Sequence, residues 1–133
     1  MHLRGLRLEQ LLGQGGDGEV WSAVDTQGQR VALKARPRSD VETDRRILQE
    51  YERLRTLRIP NVVQVISVDS DQGYVFFTME LAAGEPLDRY VAAGPSLADR
   101  VRRTAWTGAG VARALAGVHR QGVAHRDIKP ANV

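Results

Sequence analysis

A chain of 133 residues, 42% hydrophobic and 26% charged, is long enough for one modest domain with a core of its own. It has no cysteine, which excludes disulfides, thiolate metal sites and cysteine nucleophiles. The net charge of +3 is spread through stretches where acids and bases interleave, such as SDVETDRRILQEYERLRTLR, and aromatics are only 5%, so no nucleic-acid partner is expected.

The opening MHLRGLRLEQLLG lacks the uninterrupted apolar core of a signal peptide, and no 18 consecutive apolar residues occur in the chain. No membrane span and a cytoplasmic setting are expected. RLEQLLGQ reads as a strand running into a glycine cluster. GEVWSAVD and RVALKAR follow as β-rich runs joined by TQGQ, a turn at Gly28. From about Asp40 the spacing becomes helical. Ile47, Leu48, Tyr51, Leu54 and Leu57 recur at threes and fours, which predicts one apolar stripe on a helix ending near Arg58, before Pro60.

NVVQVISVDS and GYVFFTMEL read as two more strands about a DSDQG turn. AAGEP breaks the pattern and PLDRYVAAG gives a short helix. Ser96, with Asp99 three residues on, caps a long helix from Leu97 to about Arg120, stopped by Gly122. Its inward stripe is expected to be Val101, Ala105, Gly108, Val111, Ala112 and Leu115. The order predicts an α+β fold, with an antiparallel sheet and one packed helix followed by the start of a helical region.

Three stretches could carry chemistry. In GQGGDGEV, Gly13, Gly15 and Gly18 would let the backbone approach a phosphate closely. Alone, such a pattern also describes a flexible hairpin turn. A strand follows it rather than a helix, so it fits neither a dinucleotide fold nor a Walker loop. In VALK, Lys34 could be a solvent-facing strand lysine, or a cation for nucleotide phosphate oxygens. The second use requires a carboxylate to hold the ammonium in one geometry, and Glu50 and Glu52 on the predicted helix are the candidates. In HRDIKPANV, Asp127 could orient or deprotonate a hydroxyl, Lys129 could neutralise a transferred phosphoryl group and Asn132 could ligate Mg²⁺. His125 fits a packing role better than that of a base.

Taken in order, GQGGDGEV, VALK, MEL and HRDIKPANV resemble the eukaryotic-type protein kinases over essentially the whole chain. Lys129, two residues after Asp127, makes the resemblance one to Ser/Thr kinases. The resemblance implies an antiparallel small lobe with hinge over 1–82, and the start of a helical large lobe over 83–133. It implies ATP and Mg²⁺ as cofactors and a Ser/Thr-bearing protein as substrate.

Residue by residue, it implies that Gly13, Gly15 and Gly18 cover the phosphates and that Val20 and Ala32 cap the adenine. Lys34 would contact the α- and β-phosphates. Glu50, ten residues before Pro60, would be its partner in preference to Glu52. Met79 would be the gatekeeper, and the backbones of Glu80 and Ala82 would bond the adenine. Asp127 would be the catalytic aspartate, Lys129 the phosphate-neutralising lysine and Asn132 a metal ligand. No Asp-Phe-Gly occurs in the chain, and a kinase domain needs roughly 250 residues. A fragment with impaired activity is therefore expected. The alternative is a non-catalytic nucleotide-binding or interaction module of kinase shape. A small-molecule phosphotransferase is disfavoured by the Lys129-Pro130 pair.

Overall fold

The computed structural model describes residues 2–16, 18–39, 41–124, 128–130 and 133, the side chain of Thr43 excepted. Six strands form one antiparallel sheet: β1 (His2–Leu3), β2 (Leu6–Gly15), β3 (Gly18–Val24), β4 (Arg30–Pro37), β5 (Val65–Asp71) and β6 (Tyr74–Glu80), in the spatial order β1-β2-β3-β4-β6-β5. Among the described residues there are three helices: α1 (Val41–Arg55), α2 (Leu87–Ala92) and α3 (Leu97–Arg120). The chain forms two compact units. One comprises residues 1–56 and 63–82, the other residues 57–62 and 83–133. No helix among the described residues is long and apolar enough to cross a membrane.

In the first unit the apolar runs on β4 and β6 are continuous because both faces of the sheet are covered. Phe76 turns to one side, where it is buried with Leu3, Leu8, Ala23, Val31, Leu33 and Ala35. Phe77 turns to the other and is buried with Ile47, Val65 and Val75 beneath α1, with Tyr51 and Leu54 packed alongside. The sheet curls so that its two ends meet. The Arg4 backbone N–H donates to Asp71 Oδ2 at 2.7 Å, the Arg4 guanidinium meets Asp69 Oδ2 at 2.9 Å, and Gln72 Nε2 donates to the His2 carbonyl at 3.0 Å. The Ser70 N–H bonded to Asp69, with help from Arg4, holds the Asp69 carboxyl below the usual carboxylate range.

Several expectations shift by a few residues, for identifiable reasons. β1 was not expected; it is only two residues long, below what periodicity can register, yet it brings Leu3 into the core. β2 slips register between Leu8 and Gln10 and again between Leu11 and Gly13, which breaks its alternation and leaves Leu11 and Leu12 exposed. The β5–β6 turn is not the five-residue DSDQG. It is Gln72 and Gly73 alone, both with positive φ, so Asp69 to Asp71 remain in the strand. β5 begins only at Val65, since Asn61 has a φ of 64° and turns the chain. On α1, Ile47 is buried as expected, but Leu48 is exposed, and Leu57 lies beyond the helix end in the second unit.

In the second unit Ser96 caps α3 as its sequence suggests. Its Oγ accepts from the Asp99 N–H at 3.1 Å and donates to Asp99 Oδ2 at 2.6 Å. That hydrogen bond lowers the Asp99 pKa. At the other end the Gly122 N–H bonds the His119 carbonyl and the Val123 N–H bonds the Val118 carbonyl, which closes the helix.

The expected inward stripe of α3 is a correction. Val101, Ala105, Gly108 and Ala112 are exposed, and Val111 and Leu115 only half-buried; the buried residues are Ala114, Gly117 and Val118. Small apolar residues surround this helix, so spacing alone did not select a face. The neighbours do. Arg103 stacks 4.6 Å from the Tyr90 ring centroid of α2, and a Cβ on Gly117 would lie 2.7 Å from Ile59 Cγ2.

Phe77→Ala is expected to destabilise the first unit by about 3–5 kcal/mol, the usual cost of emptying a buried phenylalanine site. Denaturant unfolding with and without the substitution measures this.

Candidate nucleotide-phosphate site

Register assembles this site on one face of the sheet. Val20 lies opposite Lys34, Ser22 opposite Ala32, Ala32 opposite Met79, and Lys34 opposite Phe77. Because strand side chains alternate, Val20, Ala32, Lys34 and Met79 share the face that α1 covers at Phe77. Gly13 stands opposite Val20, and a Cβ there would meet nothing within 4 Å. The space beside Val20 is therefore open.

Lys34 Nζ donates to both oxygens of Glu50, at 2.8 and 3.0 Å. The lysine side chain is 17% exposed and the glutamate 40%. Such a half-buried pair contributes little net stability, because desolvation offsets attraction. Its effect is geometric: it holds a flexible ammonium at one place on the sheet. Glu52, the other candidate, pairs instead with Arg55 one turn along its own helix. The structure thus brings Lys34 to Glu50 and not to Glu52.

The glycine-rich hairpin pairs Gly15 with Gly18 at its tip. Gly18 has a φ of +111°, and a Cβ on it would fall 2.5 Å from the Ala35 carbonyl oxygen, so only glycine allows β3 to lie this close to β4. The sequence reading missed the braces of the hairpin. Glu19 accepts from Gln14 Nε2 at 3.1 Å and from Trp21 Nε1 at 3.0 Å, while the Arg36 guanidinium donates to the Gly16 carbonyl at 3.0 Å. Arg36 sits two residues beyond Lys34, on the same side of the strand. That parity was the signal available for it.

At the end of β6 the Glu80 N–H donates to the Gln64 carbonyl at 2.9 Å, and the Glu80 carboxylate accepts from the Gln64 N–H at 3.0 Å. The Glu80 N–H is thus already committed, and its carbonyl is the group that could serve an adenine. Ala82 closes the first unit. Lys129 belongs to the second unit and is exposed. Asp127 and Asn132, like His125, lie outside the described residues. Among the described residues no group of three or more His, Asp or Glu side chains could hold a metal ion. A cavity of about 210 Å³ lined by Leu6, Val31, Phe76 and Thr78 among others opens on the opposite face and shares no residue with the Lys34 site.

A glycine-rich hairpin and a carboxylate-held lysine on one curled antiparallel sheet define a protein kinase small lobe. Residues 6–133 match the protein kinase domain family, and the chain belongs to it. It is 39% identical over 131 residues to the DNA damage-responsive serine/threonine-protein kinase RqkA of Deinococcus radiodurans, covering 92% of this chain and 19% of that one. It is 35% identical over 136 residues to the serine/threonine-protein kinase PknA of Mycobacterium tuberculosis, covering 96% and 31%. The crystal structure of the Mycobacterium tuberculosis PknI kinase domain matches with a TM-score of 0.73 at 26% identity, over 99% of this chain and 55% of that one. The chain thus spans under a third of the length of these two curated relatives.

Gly18→Ala is expected to cost about 1–3 kcal/mol, from the strained φ and the clash with Ala35. Gly13→Ala, with open space at its Cβ, should leave stability within about 0.5 kcal/mol. Thermal melts of the two variants make the comparison.

Proposed function

We propose that this chain carries the nucleotide-binding part of an ATP-dependent Ser/Thr protein kinase. The carrying observation is the Lys34–Glu50 pair at 2.8 Å beside an unobstructed glycine hairpin. On this reading residues 1–82 bind the nucleotide and residues 83–133 supply the catalytic-loop groups. A cytoplasmic setting belongs to the proposal, because ATP is the phosphoryl donor.

Lys34, fixed by Glu50, presents its remaining N–H to the α- and β-phosphate oxygens of ATP. Gly13 and Gly15 leave room for backbone N–H groups to close over the phosphates, and Gly18 completes the cover by letting β3 turn in close against β4. Val20 and Ala32 supply apolar surface to the adenine, with Met79 at its back edge. The Glu80 carbonyl accepts from the adenine amine, and the Ala82 N–H donates to the ring.

The reaction breaks the bond between the γ-phosphorus and the β,γ-bridging oxygen and forms a bond from that phosphorus to a Ser or Thr hydroxyl oxygen. Asp127 takes the hydroxyl proton and ADP leaves with the bridging oxygen. Lys129 offsets charge on the transferred group. ATP enters as its Mg²⁺ complex, and Asn132 offers the metal a neutral oxygen; the metal, when bound, neutralises phosphate charge. The roles of Asp127 and Asn132 rest on the HRDIKPANV motif.

Equilibrium dialysis of ATP with Mg²⁺ against Lys34→Ala should show affinity falling about 10- to 100-fold, as expected for losing charge-assisted hydrogen bonds. Adenosine affinity should stay within about twofold. Equal ATP affinity in parent and variant would exclude Lys34 as a phosphate ligand. The catalytic half is checked by γ-phosphoryl transfer to a Ser/Thr protein, expected to be weak in the 133-residue chain and lost on Asp127→Asn.

A further inference from the structure

Beyond Lys34 and Arg36 a third cation, Arg38, follows just past the end of β4. The Arg38 backbone N–H donates to the Gly73 carbonyl at 2.7 Å, and its guanidinium meets Asp44 Oδ2 at 2.6 Å. Asp44 lies in the first turn of α1, and Glu50 lies six residues further along. At 3.6 residues per turn, Asp44, Ile47, Glu50, Tyr51 and Leu54 fall within an arc of about 120°. The sheet-facing side of α1 therefore carries a carboxylate on either side of Ile47, which is 1% exposed. Each carboxylate meets a cation from β4 or its end.

These two pairs differ from the others on α1. Glu42 with Arg46 and Glu52 with Arg55 join the helix to itself and set nothing about where it sits. Among the described residues, Lys34–Glu50 and Arg38–Asp44 are the ion pairs that join α1 to β4 or its end. A helix tethered only at Glu50 could pivot there. A second tether about 9 Å along the axis fixes its angle.

Asp44 gives a further sign of constraint. Its Oδ1 is buried with no hydrogen-bond partner among the described residues, while the side chain is 20% exposed. An unconstrained carboxylate in the first turn of a helix would turn that oxygen to water rather than leave it unmet. The bond to Arg38, itself anchored on Gly73, holds it inward.

We propose that Arg38 and Asp44 are positioning residues, which hold the N-terminal end of α1 so that Glu50 reaches Lys34. Among the described residues their polar contacts are to each other and to Gly73. The consequence for phosphoryl transfer rests on the function proposed above, but the positioning is measured without nucleotide. Lys34 and Lys129 are the chain's two lysines, so amine labelling reports on Lys34 with Lys129 as internal reference.

The 133-residue chain, with Asp44→Asn or Arg38→Ala, is treated with an amine-acylating reagent and the two lysines are followed by mass spectrometry. Lys34 should acylate about two- to fivefold faster relative to Lys129, the span expected on weakening a partly exposed ion pair. Glu50→Gln is the positive control. The reversed pair, Arg38→Asp with Asp44→Arg, should return the rate to within about 1.5-fold of the parent. If circular dichroism shows the reversed pair unfolded, Arg38→Lys serves as the rescue, expected within about twofold of the parent. Single variants with an unchanged Lys34 rate would overturn the proposal, and so would a raised rate that neither rescue reverses. A separate arm adds ATP with Mg²⁺ to the parent. Failure to protect Lys34 there counts against the phosphate role and leaves the positioning result intact.

Discussion

One ammonium held by both oxygens of one carboxylate sets the demands on the first unit. For Lys34 to meet Glu50, β4 must present its even-numbered side chains to the face that carries α1, and α1 must lie over β5 and β6 at an angle that brings Glu50 to β4. The apolar contacts satisfy the first demand and much of the second. Val31, Leu33 and Ala35 are buried on one side of β4, which sends Lys34 to the other, while Ile47 and Phe77 seat the helix. Burial is non-directional and cannot fix the angle of a helix by itself. Directional ion pairs at two separate points along it, Asp44 and Glu50, can.

The same economy appears at the glycine hairpin. The side beside Val20 is left open by Gly13. The side against β4 needs close approach, and Gly18 permits it. A hairpin made only of such permissive residues would be poorly ordered. Glu19, reached by both Gln14 and Trp21, and Arg36 on the Gly16 carbonyl supply polar braces that leave the Gly13 side clear.

Much of this fold was legible in the sequence because its signals are local. The β-rich runs, the turn at Gly28, the helical spacing around Ile47 and the Ser96 cap each need only a few neighbouring residues, and each element stands within a few residues of its expected place. The failures are cases where distant residues decide. The buried face of α3 is chosen by Ile59 and Tyr90, which its own spacing cannot know. β1 exists because the curled sheet gives Leu3 a core to enter. In the site, the residues alone left Glu50 and Glu52 open, the resemblance to the kinases implied Glu50, and the geometry pairs Glu50 with Lys34. Asp44 looked like a member of a solvated charge run and Arg38 carried no signal of its own, since nothing local marks a charge whose partner lies on another element. One signal could have been weighed more heavily. Of 19 basic residues all but Lys34 and Lys129 are arginine, so each lysine stands out from a chain that otherwise uses guanidinium.

The central claim is that Lys34, held by Glu50, is the phosphate-contacting cation. The most direct test is a ¹⁵N spectrum of the lysine side-chain ammonium groups, with Lys34 assigned by Lys34→Arg, recorded while ATP with Mg²⁺ and then adenosine are titrated in. The account predicts that the Lys34 signal moves saturably with ATP and not with adenosine. A Lys34 signal that stays fixed while the chain is saturated with ATP would contradict it.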